Sequence, residues 1–171
     1  RDLSVSYEKL GHTALVLNDI DGAMEWFSAA MEISRSLAAK SGSADRDLQV
    51  AYHTMGEVCR RQGKNAEARK WYNRSLAICA EQVKTGNVTA IRDMEVCYGR
   101  LGGLALEEGD YPKAKEFYLD ALKLSQRLAD IGDPIYRRDF AVSCNRLGDV
   151  LLAMGEHFQA KVWYTRGMGI T

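Results

Sequence analysis

The sequence predicts an all-α fold, an array of stacked helical hairpins. Two observations predict it. One phrase is written four times, RDLSVSYEKLG from Arg1, RDLQVAYHTMG from Arg46, RDMEVCYGRLG from Arg92 and RDFAVSCNRLG from Arg138, with starts 45, 46 and 46 residues apart. Within each copy the apolar residues recur at helical spacing, in two stripes separated by a residue that tolerates a left-handed backbone. Tandem units of this size cannot bury their apolar faces alone and must stack on their neighbours.

The first helix of each repeat carries the phrase. Counted from its closing glycine, one stripe holds Tyr7, Tyr52, Tyr98 and Cys144 four residues before, Leu10, Met55, Leu101 and Leu147 one before, and Ala14, Cys59, Ala105 and Leu151 three after. Asn18, Gly63, Gly109 and Gly155, seven residues past the glycine, are expected to stop that helix. The second helix has its own stripe: Ala23, Ala68, Ala114 and Ala160, then Phe27, Tyr72, Tyr118 and Tyr164, then Met31, Leu76, Leu122 and Met168. Gly42, Gly86 and Gly132 end it, and Ser43, Thr89 and Asp133 are the expected caps of the next first helix, with Pro134 at a first helical position. The repeats are therefore set at about 1–45, 46–91, 92–137 and 138–171, the last incomplete, in a single array over 1–171. The short last helix, and a first phrase lacking the capping turn before Arg46, suggest a piece of a longer array.

Composition narrows the function. An apolar fraction of 46% is ample for a core, and 23 basic against 23 acidic residues leave no net charge to attract nucleic acid or an anionic membrane. No apolar run approaches the ~18 residues of a membrane span. Cys59, Cys79, Cys97 and Cys144 have no C-x-x-C spacing and read as reduced core residues, which points to a cytoplasmic setting. The three histidines, His12, His53 and His157, form no metal-ligand spacing with nearby acids or cysteines, and neither a nucleophile motif nor a phosphate-cradling loop is present. The expectation is no enzyme activity, no cofactor and no metal.

The chain resembles the tetratricopeptide-repeat family. Tyr98, Leu101, Gly102, Ala105 and Gly109 in the first helix and Tyr111, Ala114, Tyr118 and Ala121 in the second carry the resemblance, and four in-phase copies extend it over the whole chain. Its departure is the period, about 46 residues where ~34 is usual. The extra residues lengthen each helix to about 20 residues, or ~30 Å. The resemblance implies a right-handed superhelical solenoid whose first helices line a concave, ligand-binding face.

On that face the resemblance places Val5, Val50, Val96 and Val142 as an apolar row, with Glu8, His53, Gly99 and Asn145, then His12, Glu57, Gly103 and Asp149, and beside them Lys9, Thr54, Arg100 and Arg146. Chaperone-binding members of the family grip a terminal carboxylate with Lys, Asn and Arg. Here valine stands in place of the clamp lysine in every repeat, so a chaperone C-terminus is not the expected ligand. Arg1, Arg46, Arg92 and Arg138, next to Asp2, Asp47, Asp93 and Asp139, allow two arrangements: arginines open to an acidic peptide, or a ladder pairing each arginine with an aspartate of the adjacent repeat. Matched counts favour the ladder. Trp26, Trp71, Phe117 and Trp163 form an aromatic column better suited to packing between repeats than to stacking bases.

The expected function is a protein-interaction scaffold that binds a peptide or partner segment in the groove, with the valine row as floor and Arg60, Arg61, Arg100 and Arg146 as polar grip. Neither nucleic acid nor membrane is an expected partner. The alternative is a self-association or sensor arm of a larger protein, such as a bacterial signalling or defence protein.

Overall fold

A computed structural model describes residues 2–41 and 46–169. The described residues form eight helices and no strand: α1 (Asp2–Val16), α2 (Ile20–Ser41), α3 (Arg46–Arg61), α4 (Asn65–Lys84), α5 (Val88–Glu107), α6 (Tyr111–Ala129), α7 (Pro134–Ala153) and α8 (His157–Met168). They pair in sequence into four hairpins, as the repeated phrase requires. The chain divides into two compact units, Arg1–Gln82 and Val83–Thr171, with the division in the last turn of α4. Each unit holds two hairpins around its own core.

Each hairpin turn is built the same way. Asn18, Gly63, Gly109 and Gly155 adopt φ of 59°, 73°, 77° and 78°, the left-handed conformation that reverses the chain. At Gly63 the amide donates to the Arg60 carbonyl at 2.9 Å and the next amide, of Lys64, reaches back to Cys59 at 2.9 Å, closing the orphan carbonyls of α3. The same pair of bonds recurs at Asn18, Gly109 and Gly155. In the first and third hairpins the residue after the turn also caps the second helix: Asp19 Oδ1 accepts from the Gly22 amide at 2.9 Å, and Asp110 Oδ1 from Lys113 at 3.1 Å. Glu156, in the same place before α8, makes no such bond.

Between hairpins the expected caps are partly corrected. Asp133 caps α7, accepting from the Ile135 amide at 2.8 Å, and Pro134 is the first residue of that helix. Thr89 does not cap α5. Gly86, at φ 80°, ends α4 two residues earlier than a Thr89 cap would need, so Asn87 takes the position and its side chain accepts from the Ala90 amide at 3.2 Å. Gly42 and Ser43 lie outside the described residues.

The phrase glycines sit where the helices of a hairpin cross. A Cβ on Gly11 would meet the Phe27 ring at 2.7 Å, on Gly56 the Tyr72 ring at 2.5 Å, on Gly102 the Tyr118 ring at 2.7 Å and on Gly148 the Tyr164 ring at 2.5 Å. The ring occupies the space that any side chain would need. Around these crossings unit 1 buries Phe27, Met31, Met55 and Val58, and unit 2 buries Tyr118, Leu122, Phe140, Leu147 and Leu151. All four cysteines are free and buried.

The aromatic column also makes contacts within hairpins. Trp26 stacks on Tyr7 with centroids 5.8 Å apart, Trp71 lies 5.6 Å from Tyr52 and Phe117 6.4 Å from Tyr98, each pair within one hairpin. The two positions face each other across the hairpin, and Trp71, Phe117 and Trp163 also pack against core clusters that span two hairpins. Leu10 also departs from its column. It is exposed where Met55, Leu101 and Leu147 are buried, because no preceding second helix lies against α1 among the described residues.

Gly56→Leu and Gly102→Leu should each lower stability by about 1–3 kcal/mol through overpacking at the ring, read as a lower midpoint in thermal or urea unfolding. Either variant unfolding with the native chain would show that the helices can separate at no cost.

Candidate functional site

In unit 2 the first helices α5 and α7 lie side by side and form a cleft lined by Arg92, Glu95, Val96, Asp139, Val142 and Arg146. Val142 is exposed and Val96 half-buried, so both present apolar surface outside the core. Arg92 Nε donates to Asp139 Oδ2 at 2.8 Å, joining the third and fourth repeats at one edge of the cleft. Arg46, Asp47 and Asp93 also have interaction partners. Arg138 is exposed.

At the base of the cleft stands a residue that the groove assignment omits. Glu95 is only 4% exposed. Its Oε1 accepts from the Ser143 hydroxyl at 2.9 Å, and Arg146 Nη1 lies 3.9 Å from the same oxygen. Burial pushes the Glu95 carboxyl above the ordinary carboxylate range; the Ser143 hydrogen bond and the Arg146 charge oppose this, Asp139 adds to it, and Arg92 opposes it weakly. Gly99 explains how the arginine fits, since a Cβ there would be 2.6 Å from Arg146 Nη1. The missing side chain makes room for a guanidinium.

A sequence signal for Glu95 exists. The fourth position of the phrase holds Ser4, Gln49 and Glu95, polar residues that are all buried. The hydroxyls of Ser4 and Ser34 approach to 3.3 Å, and Gln49 Nε2 donates to Ser75 Oγ at 2.9 Å, each bond within one hairpin. Glu95 instead bonds to the next hairpin.

The other groove candidates fall into two groups. Those one past the phrase glycine are engaged by the hairpin aromatic: the Tyr72 hydroxyl donates to Glu57, Tyr164 donates to Asp149 Oδ1 at 2.7 Å, and His12 meets the Phe27 ring edge-on at 5.1 Å. His53 lies 5.5 Å from the Tyr72 ring. The Asp149 hydrogen bond pushes the Tyr164 phenol up to about 12. Arg60 is 3.7 Å from Glu57, and Arg100 is half-buried with partners of its own. Val5, Lys9, Val50, Arg61 and Asn145 are exposed. In α1, burial raises the Glu8 carboxyl, the Asp47 charge adds to the shift and His12 opposes it.

Among the described residues no group of three or more His, Cys, Asp or Glu could hold a metal, and no helix is long and apolar enough to cross a membrane. The cleft offers apolar surface at Val96 and Val142 and charge at Arg92 and Arg146.

This geometry defines a helical-repeat interaction scaffold, a class that binds along its surface and is typically not enzymatic. A tetratricopeptide-repeat family model matches residues 47–127, and the same glycine, ring and left-handed turn recur in the hairpins on either side. No curated protein matches the chain by sequence. Among solved structures, BtubC from P. vanneervenii is 21% identical with a TM-score of 0.80, over 98% of this chain and 63% of BtubC. The apo form of the quorum sensor NprR from B. thuringiensis is 18% identical with a TM-score of 0.74, over 98% of this chain and 42% of NprR. MamA is 17% identical with a TM-score of 0.64, over 98% and 77%. At these identities the likeness is one of fold.

Two measurements probe the cleft. A pKa raised above 4.5 in the fold means that the folded state binds the Glu95 proton more tightly, a stabilisation complete below that value and lost as pH rises through the folded pKa. Glu95→Gln should therefore melt above the native chain at neutral pH, and the gap should close as pH falls toward 4.5. A gap independent of pH would count against burial as the cause. Arg92→Ala and Asp139→Ala, combined in a double-mutant cycle, should show a coupling of about 0.5 kcal/mol, modest because the pair is partly solvated.

Proposed function

We propose that the valine rows on the first helices, with the cations beside them, hold an extended or helical segment of another protein. The observation that carries this is the recurrence of valine at the same phrase position in four repeats, exposed at Val5, Val50 and Val142 and half-buried at Val96. The cores do not enclose these side chains, yet an apolar residue is kept there each time. In unit 2 the valines lie in one cleft with Arg92 and Arg146. Arg146 reaches Glu95 only at 3.9 Å, so its fork can turn toward an acidic group on a ligand. Arg60, Arg61 and Arg100 supply further charge.

The segment that fits has apolar anchors and at least one acidic residue. A flexible segment loses entropy on binding, so its affinity is modest, and screening of the arginines weakens it further at high salt. The overall charge balance of 23 against 23 gives no field for nucleic acid or an anionic membrane. Four buried free thiols suit a reducing, cytoplasmic compartment.

A peptide array scored with the native chain should select acidic peptides with spaced apolar residues. Val96→Asp and Val142→Asp should each weaken binding at least about tenfold while leaving the melting midpoint nearly unchanged, because a charge then sits on the apolar floor. Selection of basic peptides, or unaltered binding by both variants, would remove the groove assignment.

A further inference from the structure

In the second and fourth hairpins the ring at the crossing is a tyrosine whose hydroxyl is met by an acid of its own first helix. Tyr72 donates to Glu57, and Tyr164 to Asp149 Oδ1 at 2.7 Å, each acid standing one residue past the phrase glycine. The third hairpin keeps the tyrosine, as Tyr118, but holds Gly103 where the acid would be. Tyr118 is only 5% exposed, yet among the described residues its hydroxyl has no hydrogen-bond partner. The donor is in place and its acceptor is missing.

Packing does not demand a glycine at this place. A Cβ on Gly103 would meet only the Tyr118 hydroxyl, at 3.9 Å, whereas one on Gly102 would be 2.7 Å from the Tyr118 ring. Glycine inside a helix weakens it relative to alanine, so Gly103 costs α5 stability and returns none through the crossing. What it leaves is an opening over the hydroxyl. Gly99, one turn earlier on the same face of α5, lies under Arg146, whose Nη1 would be 2.6 Å from a Cβ there. The two bare positions form a notch with a guanidinium at one end and a hydroxyl at the other. Burial does most to raise the Tyr118 phenol; among the charges Arg146, which lowers it, acts more strongly than Asp149 or Glu107, which raise it. Asp149 already takes the Tyr164 hydroxyl, and Glu107 has a partner of its own.

We infer that the notch over Gly99 and Gly103 seats an acidic side chain of the bound segment, one carboxylate oxygen accepting from the Tyr118 hydroxyl and the other from the Arg146 guanidinium. This rests on the groove reading above and gives the acidic residue of that segment its place. The ligand supplies to the third hairpin the carboxylate that Glu57 and Asp149 supply to the second and fourth. Both donors suit an anion, since hydrogen bonds to a charged acceptor are the stronger kind. Arg146 is 38% exposed and 3.9 Å from Glu95, so it can turn to the ligand without losing a close pair. Val96 precedes Gly99 by three residues on α5, so an apolar anchor on the valines and an acid in the notch are near neighbours along the ligand.

Calorimetric titration with a set of synthetic dodecapeptides tests this, with thermal unfolding of every variant. The peptides share a pair of leucines and differ at one position between them, which is Asp, Asn or Ala. The native chain should bind the Asp versions at least about tenfold more tightly than the Ala versions, the scale of a hydrogen bond to a charged group. Tyr118→Phe keeps the ring on Gly102 and removes only the hydroxyl. It should weaken the Asp versions by about tenfold, leave the Ala versions unchanged and not lower the melting midpoint, because the hydroxyl has no partner to lose. Tyr72→Phe, which strips Glu57 of its donor, should lower the midpoint. Gly103→Asp gives the third hairpin its own acceptor and should bring Asp and Ala versions to equal affinity. Peptides that bind the native chain and keep their full preference for Asp in Tyr118→Phe overturn the seat and leave the groove standing. Asn versions that bind as tightly as Asp versions also overturn the seat alone, and a native chain that binds no peptide of the set overturns seat and groove together.

Discussion

The contact on which the rest of this structure depends is a ring lying against a bare glycine backbone at each hairpin crossing. Phe27, Tyr72, Tyr118 and Tyr164 fill the volume that a side chain on Gly11, Gly56, Gly102 or Gly148 would claim. The contact fixes how closely the two helices approach, and with it the depth at which neighbouring columns sit. Ala23, Ala68, Ala114 and Ala160 are buried one turn before the ring because close helices leave room for a methyl group and little more. The rings also reach the polar edge of the hairpin. Where the residue after the glycine is acidic, as at Glu57 and Asp149, the ring is a tyrosine that donates to it; where that residue is His12, the ring is Phe27.

The features most legible in the sequence were those that only a few residue types can satisfy. A left-handed backbone accepts Gly or Asn at little cost, so Asn18, Gly63, Gly109 and Gly155 announced the turns, and Gly86 and Gly132 the helix ends. A bare Cα under a ring accepts only glycine. Four copies of that requirement set the phase of the whole chain. Features with several acceptable solutions were less legible. Asn87 and Thr89 are both competent caps, and the choice between them rests on where Gly86 places the last turn of α4.

The cleft was hardest to read because its central contacts join residues far apart in sequence. Glu95 and Ser143 stand 48 positions apart, and nothing in either phrase alone marks them as partners. The same holds for Gly99, whose absent side chain serves Arg146 of the following repeat. Burial of a carboxyl is costly unless it is hydrogen-bonded or paired, and here one hydroxyl and one distant guanidinium supply only part of that compensation. The valine row, by contrast, was visible as a column, since a recurring position needs no knowledge of its neighbours.

Two ranges of contact divide the labour within the chain. Ring and acceptor in a hairpin are 15 positions apart, inside one repeat, while the bonds that join repeats span 40 to 48. A duplication or exchange of one whole repeat would carry its ring, glycine and acceptor intact and would sever only the seams. New arrays of this kind can therefore grow by copying without losing the hairpin. The hairpin is the heritable module, and the seam between modules is where individuality is written.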